Sequence, residues 1–253
     1  MRKVLVFLFS IYGFSVFILL MLLLFPFIVL SSLFGSIKGG KIIYGIITLW
    51  ADLAMLCWAM PHRNEGEEKT NPNIAQVIVF NHTSFIDIPI MLKTLRTFQI
   101  RILAKASMGK VPIFGFIYKQ GTVLVDRSSP VARAASMDRM KALIRKKISI
   151  VIAPEGTFNM TSHPLKEFYN GAFKIAIEMK VPIQPVIFLN AHDRLSHESI
   201  FSLTPGKSVS VFLEPISTDG LTELDMEQLK TKVYDAMEAA LRKRNVSWIK
   251  DGQ

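Results

Sequence analysis

Ala75-Gln76-Val77-Ile78-Val79-Phe80 runs without a spacer into Asn81-His82-Thr83-Ser84-Phe85-Ile86-Asp87. The first six residues, rich in β-branched and aromatic side chains and preceded by Asn71-Pro72-Asn73, read as a strand. Ser84 and Asp87 stand at capping-box spacing, so a helix is expected over Phe85–Leu95. The same alternation continues downstream. Further strands are expected at Ile100–Lys105, Gly121–Val125, Ile148–Ala153, Ile183–Leu189 and Ser208–Leu213. Helices are expected at Val131–Lys146, Ala172–Met179 and Glu223–Lys243. In the last, Met226, Leu229, Val233, Met237 and Leu241 recur every three or four residues, and Thr222 with Asp225 forms a second capping box. This alternation predicts an α/β fold with a mostly parallel sheet flanked by helices.

Outward from this region the composition changes. No charged residue occurs from Val4 to Ile37, a stretch of about 51 Å as a straight helix. That exceeds the bilayer's hydrocarbon thickness of about 30 Å. Pro26 is expected to kink or break it. Ser31, Ser32, Gly35, Gly39 and Gly40, with Lys38 and Lys41, mark a turn zone before a second apolar run from Ile42 to Met60. That run holds one acid, Asp52, and two interface-type tryptophans, Trp50 and Trp58. Arg2 and Lys3 resemble the start of a signal peptide, but the apolar run is too long and lacks a small-residue cleavage pattern. Residues 1–61 are therefore expected to be a membrane-embedded helical hairpin, 62–73 (HRNEGEEKTNPN) a linker, and 74–253 the α/β domain.

The chain has 253 residues, half of them apolar, which excludes a disordered protein. Its net charge of +10 suits an anionic partner such as a membrane surface or a phosphorylated substrate. The basic residues are dispersed, without an interleaved aromatic–basic module, which disfavours nucleic acid. Cys57 is the only cysteine, so a disulfide framework is excluded. His62, His163, His192 and His197 show no zinc spacing.

With His82 in the strand-to-helix turn and Asp87 in the first helical turn, the carboxylate reaches one imidazole nitrogen. It fixes the tautomer and makes the other nitrogen a general base. Asp87 read alone also fits a mere helix cap, and Asn81-His82-Thr83 a glycosylation triplet, as do Asn159-Met160-Thr161 and Asn245-Val246-Ser247. Ala153-Pro154-Glu155-Gly156-Thr157 follows another strand, and Gly156 allows close backbone approach to a ligand. Gly121-Thr122-Val123-Leu124-Val125-Asp126-Arg127 ends in an arginine able to fork onto a phosphate. Taken singly, the last two segments also fit a plain turn and a surface Asp–Arg pair.

Four segments in this order resemble the motifs of the glycerolipid acyltransferase family, and most closely its lysophosphatidic acid (1-acylglycerol-3-phosphate) acyltransferases. They are Asn81-His82-x4-Asp87, Gly121 to Asp126-Arg127, Pro154-Glu155-Gly156-Thr157, and Val181-Pro182-Ile183-Gln184-Pro185-Val186. Phe168-x-x-Gly171-Ala172-Phe173 and Lys105 are also family-like, so the resemblance covers roughly residues 74 to 215. Phe158-Asn159 stands where the third motif usually closes with Arg-Ser.

The resemblance implies transfer of a fatty acyl group from a thioester to a lysolipid hydroxyl. His82 is then the base and Asp87 its orienting partner, with Asn81, Lys105, Arg127, Glu155, Gly156 and Thr157 around the substrate. No metal or cofactor is implied. The implied co-substrate is acyl-CoA or acyl carrier protein, and the implied location is an inner or cytoplasmic membrane with the catalytic domain facing the cytosol. The missing arginine leaves a lyso-aminolipid or another lysolipid as an alternative acceptor. A membrane-anchored hydrolase using Ser84 or Thr157 is a third reading, without a Gly-x-Ser-x-Gly elbow to support it.

Overall fold

A computed structural model of the chain describes residues 1–126 and 129–250. Its strands are β1 (His62–Glu65), β2 (Val77–Phe80), β3 (Ile100–Lys105), β4 (Thr122–Val125), β5 (Ser149–Ile152), β6 (Ile183–Phe188) and β7 (Ser208–Phe212). Its helices are α1 (Arg2–Ser32), α2 (Gly40–Cys57), α3 (Asp87–Thr94), α4 (Phe114–Gly121), α5 (Pro130–Arg145), α6 (Gly171–Met179), α7 (Ala191–Arg194) and α8 (Met226–Lys243). All strands join one sheet in the order β1-β7-β6-β2-β5-β3-β4. From β6 to β4 the strands run parallel, while β7 is antiparallel to β6 and pairs in parallel with β1.

The two-residue period of a strand divides the core between the faces of the sheet. In β2, Val77 and Val79 join the cluster built with α5, α6 and α8, whereas Ile78 and Phe80 join the cluster under α2 and α3. β5 repeats this, with Ile150 and Ile152 on the first face and Val151 on the second. Coverage on both faces is why the central strands are continuous apolar runs. The periodic helix buries Leu229, Val233, Met237 and Leu241, and the Thr222–Asp225 capping box leads into it.

The six expected strands form, with ends shifted by at most two residues. Gly121 is the exception in kind, since it closes α4 and the strand begins at Thr122. α4, which follows Pro112 and contains Gly115, is an additional helix between β3 and β4. The stretch expected as a linker begins with β1, a polar strand at the edge of the sheet. Its side chains bond inward: His62 Nδ1 lies 3.0 Å from Ser208 Oγ, and Asn64 donates to Thr94 O at 3.1 Å. A polar strand escapes hydropathy reading, and charged edges are how sheets limit stray pairing.

α1 continues unbroken through Pro26, which cancels the expected break. Its 31 residues span about 46 Å. A wide turn over Gly35–Gly39 returns the chain as α2. The pair is antiparallel: Trp58 Nε1 donates to Gly13 O at 3.0 Å, and Phe17 meets Trp50 edge-on at 5.1 Å. A Cβ on Gly39 would lie 2.3 Å from Ser31 O, so this close turn requires glycine. α1 and α2 both have the length and apolarity of membrane-embedded helices, and most of α1 is exposed.

The composition break at residue 61 is not a break in packing. Ala54, Met55, Trp58 and Met60 belong to the same buried cluster as Ile78, Phe80 and Ile90. Asp52 pairs with Lys93 at 2.9 Å and Arg96 at 3.2 Å, and Tyr44 donates to Leu95 O at 2.7 Å. α2 is thus part of the catalytic domain, fixed to α3. A chain beginning at His62 exposes this cluster, since burying one large apolar side chain contributes about 1.5–3 kcal/mol. It should lose cooperative thermal unfolding, whereas a chain beginning at Gly40 should retain it in detergent. Equal melting of the His62 and full-length chains would overturn the assignment of α2 to the core.

Candidate active site

The carboxyl ends of β2, β5 and β3 lie side by side, the position where open α/β sheets place their sites. At the end of β2, Asn81 is wholly buried and its amide is spent on β6. Its Nδ2 donates to Phe188 O at 3.1 Å, and its Oδ1 accepts from Phe188 N at 2.7 Å. Asn81 is therefore a bracket between strands. The side chain that turns outward is the next one.

His82 Nδ1 lies 2.7 Å from Asp87 Oδ2. The same oxygen accepts the amides of Thr83 and Ser84, each at 3.0 Å. A carboxylate only accepts, so Nδ1 carries the hydrogen and Nε2 is left with its lone pair. The His82 side chain keeps 22% of its surface exposed and Asp87 none, so the imidazole is the member that can meet a substrate. Ser84 is not the helix cap: Ile86 is, without a side-chain cap bond, so the geometry favours the orienting reading of Asp87. α3 begins at Asp87 itself, and its carboxylate closes the preceding turn while it holds the ring.

β5 supplies the second wall. Gly156 adopts φ +73°, which lets the chain turn sharply after Glu155. Glu155 is buried, and its Oε1 accepts from His82 N at 2.9 Å while its Oε2 accepts from Lys166 N at 3.0 Å. It braces the main chain of both turns. Burial pushes its carboxyl up to about 7, against the two amide hydrogen bonds, which favour the ionised form. On the other side, His82 O accepts from Asn159 N at 2.6 Å, so the His82 peptide is held at both ends. Phe158 packs on the imidazole with ring centroids 4.3 Å apart, and Phe85 meets Phe158 edge-on at 4.9 Å.

Thr157 is exposed, and its hydroxyl accepts from Lys166 Nζ at 2.8 Å. Lys105, exposed, ends β3 opposite Val125. The ladder pairs Val79 with Ile152 and Val151 with Ile102, which carries Lys105 to the level of Asn81, two strands away. That separation is about 10 Å. Arg127 lies outside the described residues. The segment Val181–Val186 is structural: Val77 N donates to Pro182 O, and Gln184 is buried in β6.

Asn81 and Asn159 are both buried with their amides engaged, which removes two of the three glycosylation triplets as acceptors. Among the described residues no group of three or more His, Cys, Asp or Glu side chains is arranged to hold a metal. Sequence reading passed over Lys166. Its position became significant only when Glu155 joined its amide to that of His82.

The acyltransferase family profile matches residues 61–189. An uncharacterized acyltransferase of Schizosaccharomyces pombe is 30% identical over 82% of this chain and 72% of its own length. The 1-acyl-sn-glycerol-3-phosphate acyltransferase of Cocos nucifera is 29% identical over 82% of this chain and 64% of its own. The crystal structure of the 1-acyl-sn-glycerophosphate acyltransferase PlsC from Thermotoga maritima has the same fold, with a TM-score of 0.81 at 21% identity, covering 99% of this chain and all of that one. A mostly parallel sheet with a histidine–aspartate pair at its carboxyl edge is thus the framework of a group-transfer enzyme. The chain belongs to the acyltransferase family.

Glu155 gives a pH test. Its carboxyl rises from an ordinary 4.5 to about 7 on folding. The stability linked to this shift is therefore full below about 4.5 and is lost as pH rises through about 7. Between these values wild type should lose melting temperature relative to Glu155→Gln. A pH-independent difference between the two would show that Glu155 does not titrate in this way.

Proposed function

We propose that this enzyme is a 1-acyl-sn-glycerol-3-phosphate O-acyltransferase of phospholipid biosynthesis, taking its acyl group from acyl-CoA or acyl carrier protein. The observation that carries the reading is the His82–Asp87 pair at 2.7 Å, oriented by two backbone amides at the open end of a family-typical sheet. In this reading His82 Nε2 takes the proton of the lysolipid hydroxyl. The oxygen attacks the thioester carbonyl, and the carbon–sulfur bond breaks. The thiolate leaves and is protonated by the imidazolium, which restores the neutral ring. Asp87 stabilises the imidazolium between these steps. No metal or cofactor takes part, and the donor is a co-substrate.

The exposed apolar surface of α1 supports a place on the bilayer. Drawing a lysolipid chain into water costs about 0.8 kcal/mol per CH₂, and a site seated at the membrane avoids most of that. With a soluble donor, the catalytic domain faces the cytosol from an inner or cytoplasmic membrane.

One observation favours a second acceptor. The ring of Phe158, rather than a cation, adjoins the base, which suits a less anionic head group such as that of a lyso-aminolipid. The hydrolase reading loses Ser84, which is fully buried with its Oγ donating to Leu195 O, and keeps only the exposed Thr157 as nucleophile.

His82→Ala should lower turnover by about 10²–10⁴-fold, the usual contribution of a positioned base. Asp87→Asn should lose most activity. Steady-state assays over a panel of lysolipid acceptors with both donor types check this. Near-normal activity of Asp87→Asn would reduce Asp87 to a helix cap, and preference for a zwitterionic lyso-aminolipid would replace the acceptor assignment.

A further inference from the structure

The loop after β5 ties the backbone of Lys166 to that of the base. Glu155 joins two distant pieces of main chain through one carboxylate, one oxygen taking His82 N and the other Lys166 N. The backbones of His82 and Lys166 are therefore one carboxyl group apart, although 84 positions separate them in sequence. From there the Lys166 side chain runs back to the exposed turn, where Nζ donates to Thr157 Oγ1 at 2.8 Å. The next residue, Phe158, is the one whose ring packs on the His82 imidazole.

This lysine combines that position with a neutral partner. Several lysines of the domain meet carboxylates instead: Lys141 meets Glu178, Lys174 meets Glu223, and Lys230 meets Glu227. Among the described ion pairs Lys166 has none, and its partner is a neutral hydroxyl. Glu155, the carboxylate that holds its amide, is buried and has an amide on each oxygen. An ammonium group carries three donors, and Thr157 takes one. The remaining two are available to an anion without an existing ion pair having to break.

We propose that Lys166, steadied by Thr157, binds a phosphate of a substrate while His82 acts on the acyl acceptor. This rests on the acyltransferase reading above, in which both substrates carry phosphate: the lysolipid in its head group, the donor in its CoA or phosphopantetheine arm. The shared ligand is a phosphate ester, and the lysine is a binding residue, apart from the proton transfer.

Equilibrium binding to the detergent-solubilised full chain tests this without requiring turnover. Lysophosphatidic acid and a non-hydrolysable acyl-CoA thioether are titrated separately into wild type, Lys166→Gln and Lys166→Arg. A hydrogen bond to a charged group contributes about 1.5–3 kcal/mol, or about 10- to 150-fold in Kd. Lys166→Gln should weaken one of the two ligands by that factor, and Lys166→Arg should recover most of it. A shift for lysophosphatidic acid assigns the lysine to the acceptor. A shift for the thioether that disappears with a phosphate-free thioether assigns it to the donor. Unchanged Kd values for both ligands would overturn the proposal. Lys166→Met, which keeps the aliphatic stem, substitutes if the glutamine variant melts below wild type. Turnover of lysophosphatidic acid by wild type is a separate reading. Its absence would count against the proposed function and leave the binding comparison standing.

Discussion

A single carboxylate oxygen organises the active end of this enzyme. Asp87 Oδ2 accepts from the imidazole of His82 and from the amides of Thr83 and Ser84. Fully removed from water, such a group is costly unless its hydrogen bonds are made, and here the bonds it makes also fix a tautomer. Without them the peptide of His82 is still held by Glu155 and Asn159, but nothing hydrogen-bonded to Nδ1 sets the tautomer of the ring. The helix that follows starts at the same residue, so the orientation of the base and the start of α3 are one structural event.

Around that oxygen, buried polar side chains replace the backbone pairing that ends with the strands. Asn81 binds both main-chain groups of Phe188, and Glu155 binds the amides of His82 and Lys166. Each acts like an extra rung joining neighbouring strands beyond the last ladder bond. This leaves His82 as the half-exposed member of an otherwise buried group. On the far side of α3 the same economy holds. Lys93, Leu95 and Arg96 take up Asp52 and Tyr44 of α2, so the membrane-type hairpin and the catalytic helix form one packed unit.

Much of this was legible in the sequence wherever burial imposes a period. Val77–Phe80 and the Leu229–Leu241 spacing announce a two-sided strand and a one-sided helix, and both occur. The His82–Asp87 pair was legible because a strand-to-helix turn brings positions five apart together. The rest depended on information that periodicity does not carry. β1 is polar, and its place is set by His62 and Asn64 reaching Ser208 and Thr94, far away in sequence. Asn81 and Glu155 look like ligand-binding residues in a linear reading, since polar side chains at strand ends are common in sites. Only their partners show that they brace the backbone. The hairpin boundary at residue 61 follows composition, whereas packing continues from Ala54 to Ile90 across it.

In the proposed reaction His82 acts as the base while the acceptor hydroxyl takes the acyl group directly from the thioester, with no acyl-enzyme. Ser84 Oγ is buried and donates to Leu195 O, and Thr157 Oγ1 accepts from Lys166. Cys57 lies at the end of α2, away from the turn that carries His82. The most direct measurement is intact-protein mass spectrometry after incubation with acyl-CoA in the absence of acceptor, quenched over the time of several turnovers. The account predicts an unmodified chain mass at every time point. A rapidly formed acyl adduct on Ser84, Thr157 or Cys57 that disappears when acceptor is added would contradict it.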